Sequence, residues 1–468
     1  MRRPPRWQPW DRSLQLIHLP GGPGRTVADR AEGGRGLASA RAWSHRNESR
    51  DIAARQQAVR DSSGWQPSDE FVLSGPADIP GGLATLAQVQ ECLTGTVVLP
   101  VAVVPVELEL GRYTLDDAGR VRETGRERAS ALVPLAHSEG GLSASLLRGA
   151  HAARAAGGVR THILADGLTR ASCFQFRETA HAVRFAAWVE EHGPEMARWL
   201  RDPANPLAGE RAPSGLPLIS RHAVLRQVRT HVLGPYCHVL YRFTTGDACG
   251  PNLMTRNAQV LNREFVSSRF ARDTGLPIVR MVLEANMGGD KKPSYQFFQE
   301  GHGKTVLAEV TLPAAVLSRY LHCTPEDMVA LSRIGLHGSH ASGMQSAAFT
   351  PASAVAAIFA ATGQDLGMVG TSSMAHGTAD LAEDGVHLAI RLPGLEVGTV
   401  GGGTMLPHAR AWLRLLGCEG QGTVHRFAQI VAAATLCLEI SAAAAMAGDG
   451  SENFYRAHLE RGGVRRRT

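Results

Sequence analysis

The stretch EANMGGDKKPSYQFFQEGHGKT, Glu284 to Thr305, contains all three lysines of the 468-residue chain, Lys291, Lys292 and Lys304, against 46 arginines elsewhere. In a chain that otherwise uses guanidinium, clustered ammonium groups point to positions that shift pKa, donate to an oxyanion or tolerate no bulk; chance clustering is the alternative. The same stretch is a seam in the fold. Before it, Ser172 to Val282 carries a helical pattern (Glu178–Leu200), a proline-rich loop, the strand HVLYRF, and a turn and helix in TTGDACGPNLMTRNAQVLNREF. After it come the strand VLAEVTL, an alanine-rich helix ending before Gly363, the paired strands LAIRLPGLEVGTV and a helix from Phe427 to Met446. The earlier block, bounded by glycine-containing turns, reads as a small α+β domain inserted into a larger one.

Towards the N-terminus, GTVVLPVAVVPVELEL (Gly95–Leu110) is β-rich but interrupted by Pro100 and Pro105, which suits an edge strand. VPLAHSEGGLSASLLRGAHAARAAGG (Val133–Gly158) reads as a strand passing through a glycine turn into a helix. Residues 1–64 hold twelve Arg, no Lys and six acidic residues, a surplus equal to the formal charge of +6 for the whole chain. The remainder is therefore neutral, which argues against a nucleic-acid partner. This Pro-, Gly- and Arg-rich segment has no sustained apolar period beyond a short helix at Ile52–Val59, and reads as a disordered tail without the apolar core of a signal peptide.

A composition of 44% hydrophobic and 20% charged residues is that of a globular protein. The seven cysteines form no CxxC pair, so neither a disulfide framework nor a zinc ribbon is indicated and a cytoplasmic location is expected. Ile430–Gly448, the most apolar stretch, is interrupted by Glu439 and reads as a buried helix, with no membrane span expected. His337 and His340 lack a third ligand at diagnostic spacing, so no metal site is expected. No GxGxxG follows a strand, so a Rossmann domain is not supported.

Five motifs run in order: VPLAHSEGGLSAS, TTGDACGPNLMTRN, GDKKP, ATGQD and LEVGTVGGGTMLP. Together, over residues 85–460, they resemble the 3-hydroxy-3-methylglutaryl-coenzyme A (HMG-CoA) reductase family, in its soluble bacterial form. The resemblance implies an α+β fold, with a large substrate-binding domain around a central buried helix (residues 65–170 and 293–468). A small ferredoxin-like α+β domain for the nicotinamide cofactor (residues 171–292) would be inserted into it. It also implies reduction of HMG-CoA to mevalonate and coenzyme A by two NADPH, with NADH as the other candidate. The active sites would lie across the interfaces of a homodimer or higher homo-oligomer.

Residue by residue, Lys291 falls on the family's catalytic lysine, an oxyanion stabiliser. Glu139 falls on the glutamate that delivers protons, a task for which burial would raise its pKa. Asp365 falls on the buried aspartate that couples the two, and His458 on the histidine that protonates the departing thiolate. Asp247 and Asn252 match cofactor-domain residues, Arg256 would meet a 2′-phosphate, and Gly401, Gly402 and Gly403 would let backbone approach the cofactor. The same glycines would equally serve a tight turn. Arg170 and Lys292 match positions around the glutaryl carboxylate, Arg170 suited to bidentate binding; Asn286 would hydrogen-bond in the site, Asp290 would join the substrate-binding set, and Arg333 matches a basic residue near this end of the substrate. Taken alone, Glu139 reads as a helix cap, and Arg256, Arg333 and His458 as surface residues.

The chain also departs from the pattern. Glu284 stands where animal members commonly have Ser, bringing a negative charge towards the expected carboxylate. Ser353 replaces an Asn, and Pro351 just before it predicts a kinked helix. Two other readings remain: a reductase of another 3-hydroxyacyl-CoA thioester, or a non-catalytic binder of coenzyme A esters.

Overall fold

The computed structural model describes residues 47–61, 66–73, 86, 91–116 and 119–461. The chain divides into two compact units, residues 1–97 with 211–217, and residues 98–210 with 218–468.

In the first unit, α1 (Ser49–Arg60) opens on a capping box between Glu48 and Asp51. Its Arg55 is buried, donating to the Leu93 carbonyl at 2.9 Å and to Asn47 Oδ1 at 2.7 Å. Gln56 donates to the carbonyls of Leu73 and Thr94. Residues 47–61, read as part of a disordered tail, thus hold a packed helix, and the reading is corrected for those residues alone. Residues 1–46 and 62–64 lie outside the described residues.

The second unit begins with β1 (Val101–Leu115) and β2 (Val121–Ala136), an antiparallel pair, followed by α2 (Leu142–Ala155) and β3 (Val159–Gln175). Then come α3 (Thr179–Arg201), β4 (Val224–Leu233), β5 (Tyr236–Thr244), α4 (Pro251–Val260) and β6 (Arg280–Val282). The chain continues through β7 (Gly303–Pro313), α5 (Pro325–Ala341), α6 (Pro351–Thr362), β8 (His376–Ala382), β9 (Gly385–Leu395), α7 (Val424–Ala447) and α8 (Glu452–Arg461).

The larger sheet has the order β2-β1-β3-β7-β9-β8. β1 is thus an inner strand, not the edge its prolines suggested. Pro105 is tolerated because it faces Leu132 of β2, whereas β3 joins β1 further on, at Leu108 and Glu109. LAIRLPGLEVGTV supplies one strand, β9, not a pair, and its hairpin partner is β8. Pro351 opens α6 at its first position, where it has no intrahelical N–H bond to lose, so the expected kink does not arise.

α7 is buried over nearly all of Val424–Ser441 and packs against α2, α5, α6 and β7. It is long and apolar enough to cross a membrane but is a core helix here. Small residues bring it close to α2: a Cβ on Gly149 would stand 1.8 Å from the Cys437 carbonyl oxygen.

A second apolar core draws only on residues 168–283. Its strands lie β4-β5-β3-β6, all antiparallel, and with α3 and the helical run from α4 to Thr274 they make the βαββαβ order of a ferredoxin-like unit. Phe174, Phe176, Phe185 and Phe270 pack ring against ring at its centre. β3 belongs to both sheets: Arg160–Gly167 pair with β7, and Leu168–Gln175 with β5.

Candidate active site

The segment 284–292 lies along β3. Ser172 Oγ donates to the Leu283 carbonyl at 2.9 Å and the Ala285 N–H to the Ala171 carbonyl at 3.0 Å. Gly288 sits so close that a Cβ would approach Ala171 N and Thr169 O at 3.1 Å. The loop turns sharply: Asn286 (φ 66°), Gly289 (φ 72°) and Lys291 (φ 57°) are all left-handed. For Asn and Lys that conformation is sparsely populated, and such strain gathers at functional sites.

This geometry carries Glu284 and Asp290 to Arg170, which is buried on β3. Arg170 Nη1 donates to Glu284 Oε2, and Nη1 and Nη2 both reach Asp290 Oδ2 at 3.2 Å. Lys292 folds back to the Asp290 carbonyl at 3.0 Å. Arg170, Asn286, Asp290 and Lys292 thus lie together, with Arg170 already paired with two carboxylates of its own chain.

Lys291 projects from the same loop to Asp365, Nζ to Oδ2 at 2.8 Å. The hydrogen bond to Asp365 holds the ammonium pKa above its ordinary value. Asp365 caps a short 3₁₀ turn, accepting from the Gly367 N–H at 2.9 Å. It was expected to be buried, yet its side chain is 44% exposed and that of Lys291 46%. Next to it, Gln364 exchanges two hydrogen bonds with Gly398, at 2.9 and 3.0 Å. Gly363 and Gly403 meet backbone to backbone, a contact a Cβ on either would break.

The turn before α4 joins the same cluster. A Cβ on Gly398 would stand 2.6 Å from Cys249 N, and the Thr399 N–H donates to the Asp247 carbonyl at 2.8 Å. The Asp247 carboxylate, expected to face the cofactor, instead accepts the N–H groups of Gly422, Thr423 and Val424 at 2.8, 3.0 and 3.1 Å, capping α7. Asn252 is exposed in the first turn of α4 and Arg256 is half-buried one turn later. Gly401 (φ 78°) and Gly402 (φ 57°) face open space.

The third lysine of the opening stretch does something else. Lys304 is buried on β7, with Nζ 2.8 Å from Asp166 Oδ1 and 3.3 Å from the Gly246 carbonyl, while His425 Nε2 meets Asp166 Oδ2 at 2.9 Å. Burial alone would raise the Asp166 pKa, but the Lys304 charge together with His425 outweighs it and the net shift is downward. Sequence reasoning singled out Lys304 by residue type but missed both partners, Asp166 in ADGLTR and His425 at the start of α7.

Glu139 and His458 are found together elsewhere, lining a cavity of about 350 Å³ with Arg148, Thr350, Ser353 and Phe454. Both are exposed, Glu139 contrary to the expected burial. His458 Nδ1 bonds the Phe454 carbonyl at 2.8 Å, which leaves Nε2 directed away from the helix backbone. Neither makes a hydrogen bond to Lys291 or Asp365 among the described residues. Arg333 is exposed on α5 and joins neither group.

Residues 51–462 match the sequence profile of hydroxymethylglutaryl-coenzyme A reductase. The chain belongs to that family. The 3-hydroxy-3-methylglutaryl-coenzyme A reductase of Aeropyrum pernix is 32% identical over 399 residues, covering 83% of this chain and 87% of the relative. That of Pyrococcus horikoshii is 35% identical, covering 70% and 75%. Among solved structures, the class II enzyme of Streptococcus pneumoniae, bound to NADPH in open conformations, superposes with a TM-score of 0.56 at 16% identity, covering 84% of this chain and 96% of that one. A likeness at that identity speaks to the fold, which is shared.

Proposed function

We propose that this chain reduces HMG-CoA to mevalonate and coenzyme A, consuming two NADPH and two protons per turnover, with Lys291 as the group that stabilises the oxyanion. The observation that carries this reading is the Lys291–Asp365 pair, an ammonium fixed by a carboxylate yet open to solvent, where loops 284–292, 363–367 and 398–405 converge. A fixed cation beside a carbonyl lowers the barrier to hydride addition because it meets charge that develops only in the transition state. Asp365 orients Lys291 and keeps it protonated.

NADPH, when bound, supplies the hydride. The residues present fit such a group: Gly401 and Gly402 face open space on the loop whose Gly403 meets Gly363, and α4 opens on Gly250 and Pro251 with no capping side chain over its first turn. Asn252 and Arg256 would hold the cofactor from α4, in the ferredoxin-like unit of residues 171–292, and residues 65–170 and 293–468 would form the substrate domain. Asp247 contributes by fixing the turn through its cap on α7.

Glu139 would supply protons to the carbonyl oxygen, and His458 would protonate the leaving thiolate through Nε2. Because these two line a cavity of their own, we assign them to a site completed by a second copy of the chain. On this reading the protein works as a homodimer or higher oligomer.

Purified protein given HMG-CoA should oxidise two NADPH for each mevalonate identified by mass, and less rapidly NADH. A folded protein that consumes neither cofactor overturns the reading.

A further inference from the structure

We propose that Glu284 is an internal competitor for the guanidinium that receives the acyl carboxylate, and so sets how far the chain favours carboxylate-ended thioesters over uncharged ones. The proposal rests on the reductase reading above.

Arg170 is 4% exposed, and its Nε is buried without a hydrogen-bond partner among the described residues. Nη1 is shared between Glu284 and Asp290, and Nη2 donates to Asp290. The second oxygen of Glu284 is fixed as well, accepting the Asn286 N–H at 2.9 Å. With both neighbours of Glu284 tied to β3, its carboxylate is held against Arg170 much as a bound acid would be.

The local charges are balanced. Arg170, Lys291 and Lys292 face Glu284, Asp290 and Asp365. Without Glu284 the group would carry one positive charge, which an entering carboxylate would neutralise. With Glu284 in place, that carboxylate meets an occupied donor and adds an uncompensated negative charge. It reaches Nη1 of Arg170 only by displacing Glu284, whose side chain is 33% exposed and can swing into water. Glu284 makes no hydrogen bond to the Lys291–Asp365 pair among the described residues, so this competition falls on KM and not on kcat. An acyl chain ending in a methyl or hydroxyl group leaves the Glu284–Arg170 pair intact.

The test compares wild type with Glu284→Gln and Glu284→Ala on HMG-CoA and on 3-hydroxy-3-methylbutyryl-CoA. Both substitutions should lower KM for the carboxylate-ended thioester by on the order of tenfold, the effect of freeing one charged hydrogen-bond donor. KM for the uncharged thioester and kcat for HMG-CoA should stay as in wild type. A KM for HMG-CoA that is unchanged or raised in both folded variants overturns the proposal.

A second readout, calorimetric binding of free 3-hydroxy-3-methylglutarate, does not depend on turnover. If wild type reduces neither thioester, the reductase reading fails, whereas a gain of about tenfold in affinity on Glu284→Gln still supports the competitor role. No gain overturns it.

Discussion

Two lysine–aspartate pairs in this molecule have the same separation, 2.8 Å, and opposite surroundings. Lys304 and Asp166 are 3% and 2% exposed, whereas Lys291 and Asp365 are 46% and 44% exposed. Distance alone therefore says nothing about role. In the buried pair each charge exists to satisfy the other, and the Gly246 carbonyl and His425 complete the set. In the open pair one proton of the ammonium is taken by Asp365 while solvent reaches the others, which is what a group awaiting a ligand requires.

The comparison is broken most severely by Lys304→Ala. Among the described residues it leaves the buried carboxylate hydrogen-bonded to His425 alone, and should cost about 3–5 kcal/mol of unfolding free energy, read from the urea midpoint. Loss of less than about 1 kcal/mol would mean that the site admits water. Lys291→Ala should do the reverse: turnover should fall by about 10²–10³, measured as NADPH oxidation, with the urea midpoint nearly unmoved. Full turnover would remove Lys291 from the mechanism.

Asp247→Ala takes the cap from the central helix and should cost about 1–2 kcal/mol in the same unfolding assay, more than an exposed helix end would show. An unchanged midpoint would mean that the three N–H groups find other partners.

The smallest effect is the pH response. Asp166 has a lowered folded pKa, so its contribution is present above the unfolded carboxylate value and is lost as pH falls through the folded one. Stability should thus decline on acidification, and less steeply in Asp166→Asn. Lys291 has a raised pKa, so its contribution is present below the ordinary lysine range and is lost as pH rises through the folded value. Solvent screening makes that second slope shallow, and 0.5 M salt should flatten it further while sparing the acid limb.

Much of this was legible in the sequence for a physical reason. Lysine is rare enough here to mark the loop, and GQD and GTVGGGT carry glycines whose backbones touch, as Gly363 and Gly403 do. The α+β class, the buried helix at Phe427–Met446 and the ferredoxin-like insertion followed from pattern and resemblance. What pattern does not encode is pairing across long separations. Nothing in GDACG announces that Asp247 caps a helix about 175 residues away, nor in ADGLTR that Asp166 and Arg170, both on β3, serve different ion pairs. Exposure was misjudged for Asp365 and Glu139 for a related reason, since burial is a property of the packed surface and not of a motif.

β3 runs unbroken from the larger sheet into the smaller one, with Asp166 and Arg170 on either side of the crossing. A junction for exchanging the small unit with that of a relative cannot then be cut at a linker. It would fall inside a hydrogen-bonded strand, and a one-residue error would turn every side chain beyond it to the wrong face. The two cores share one strand, and a chimera must carry β3 whole.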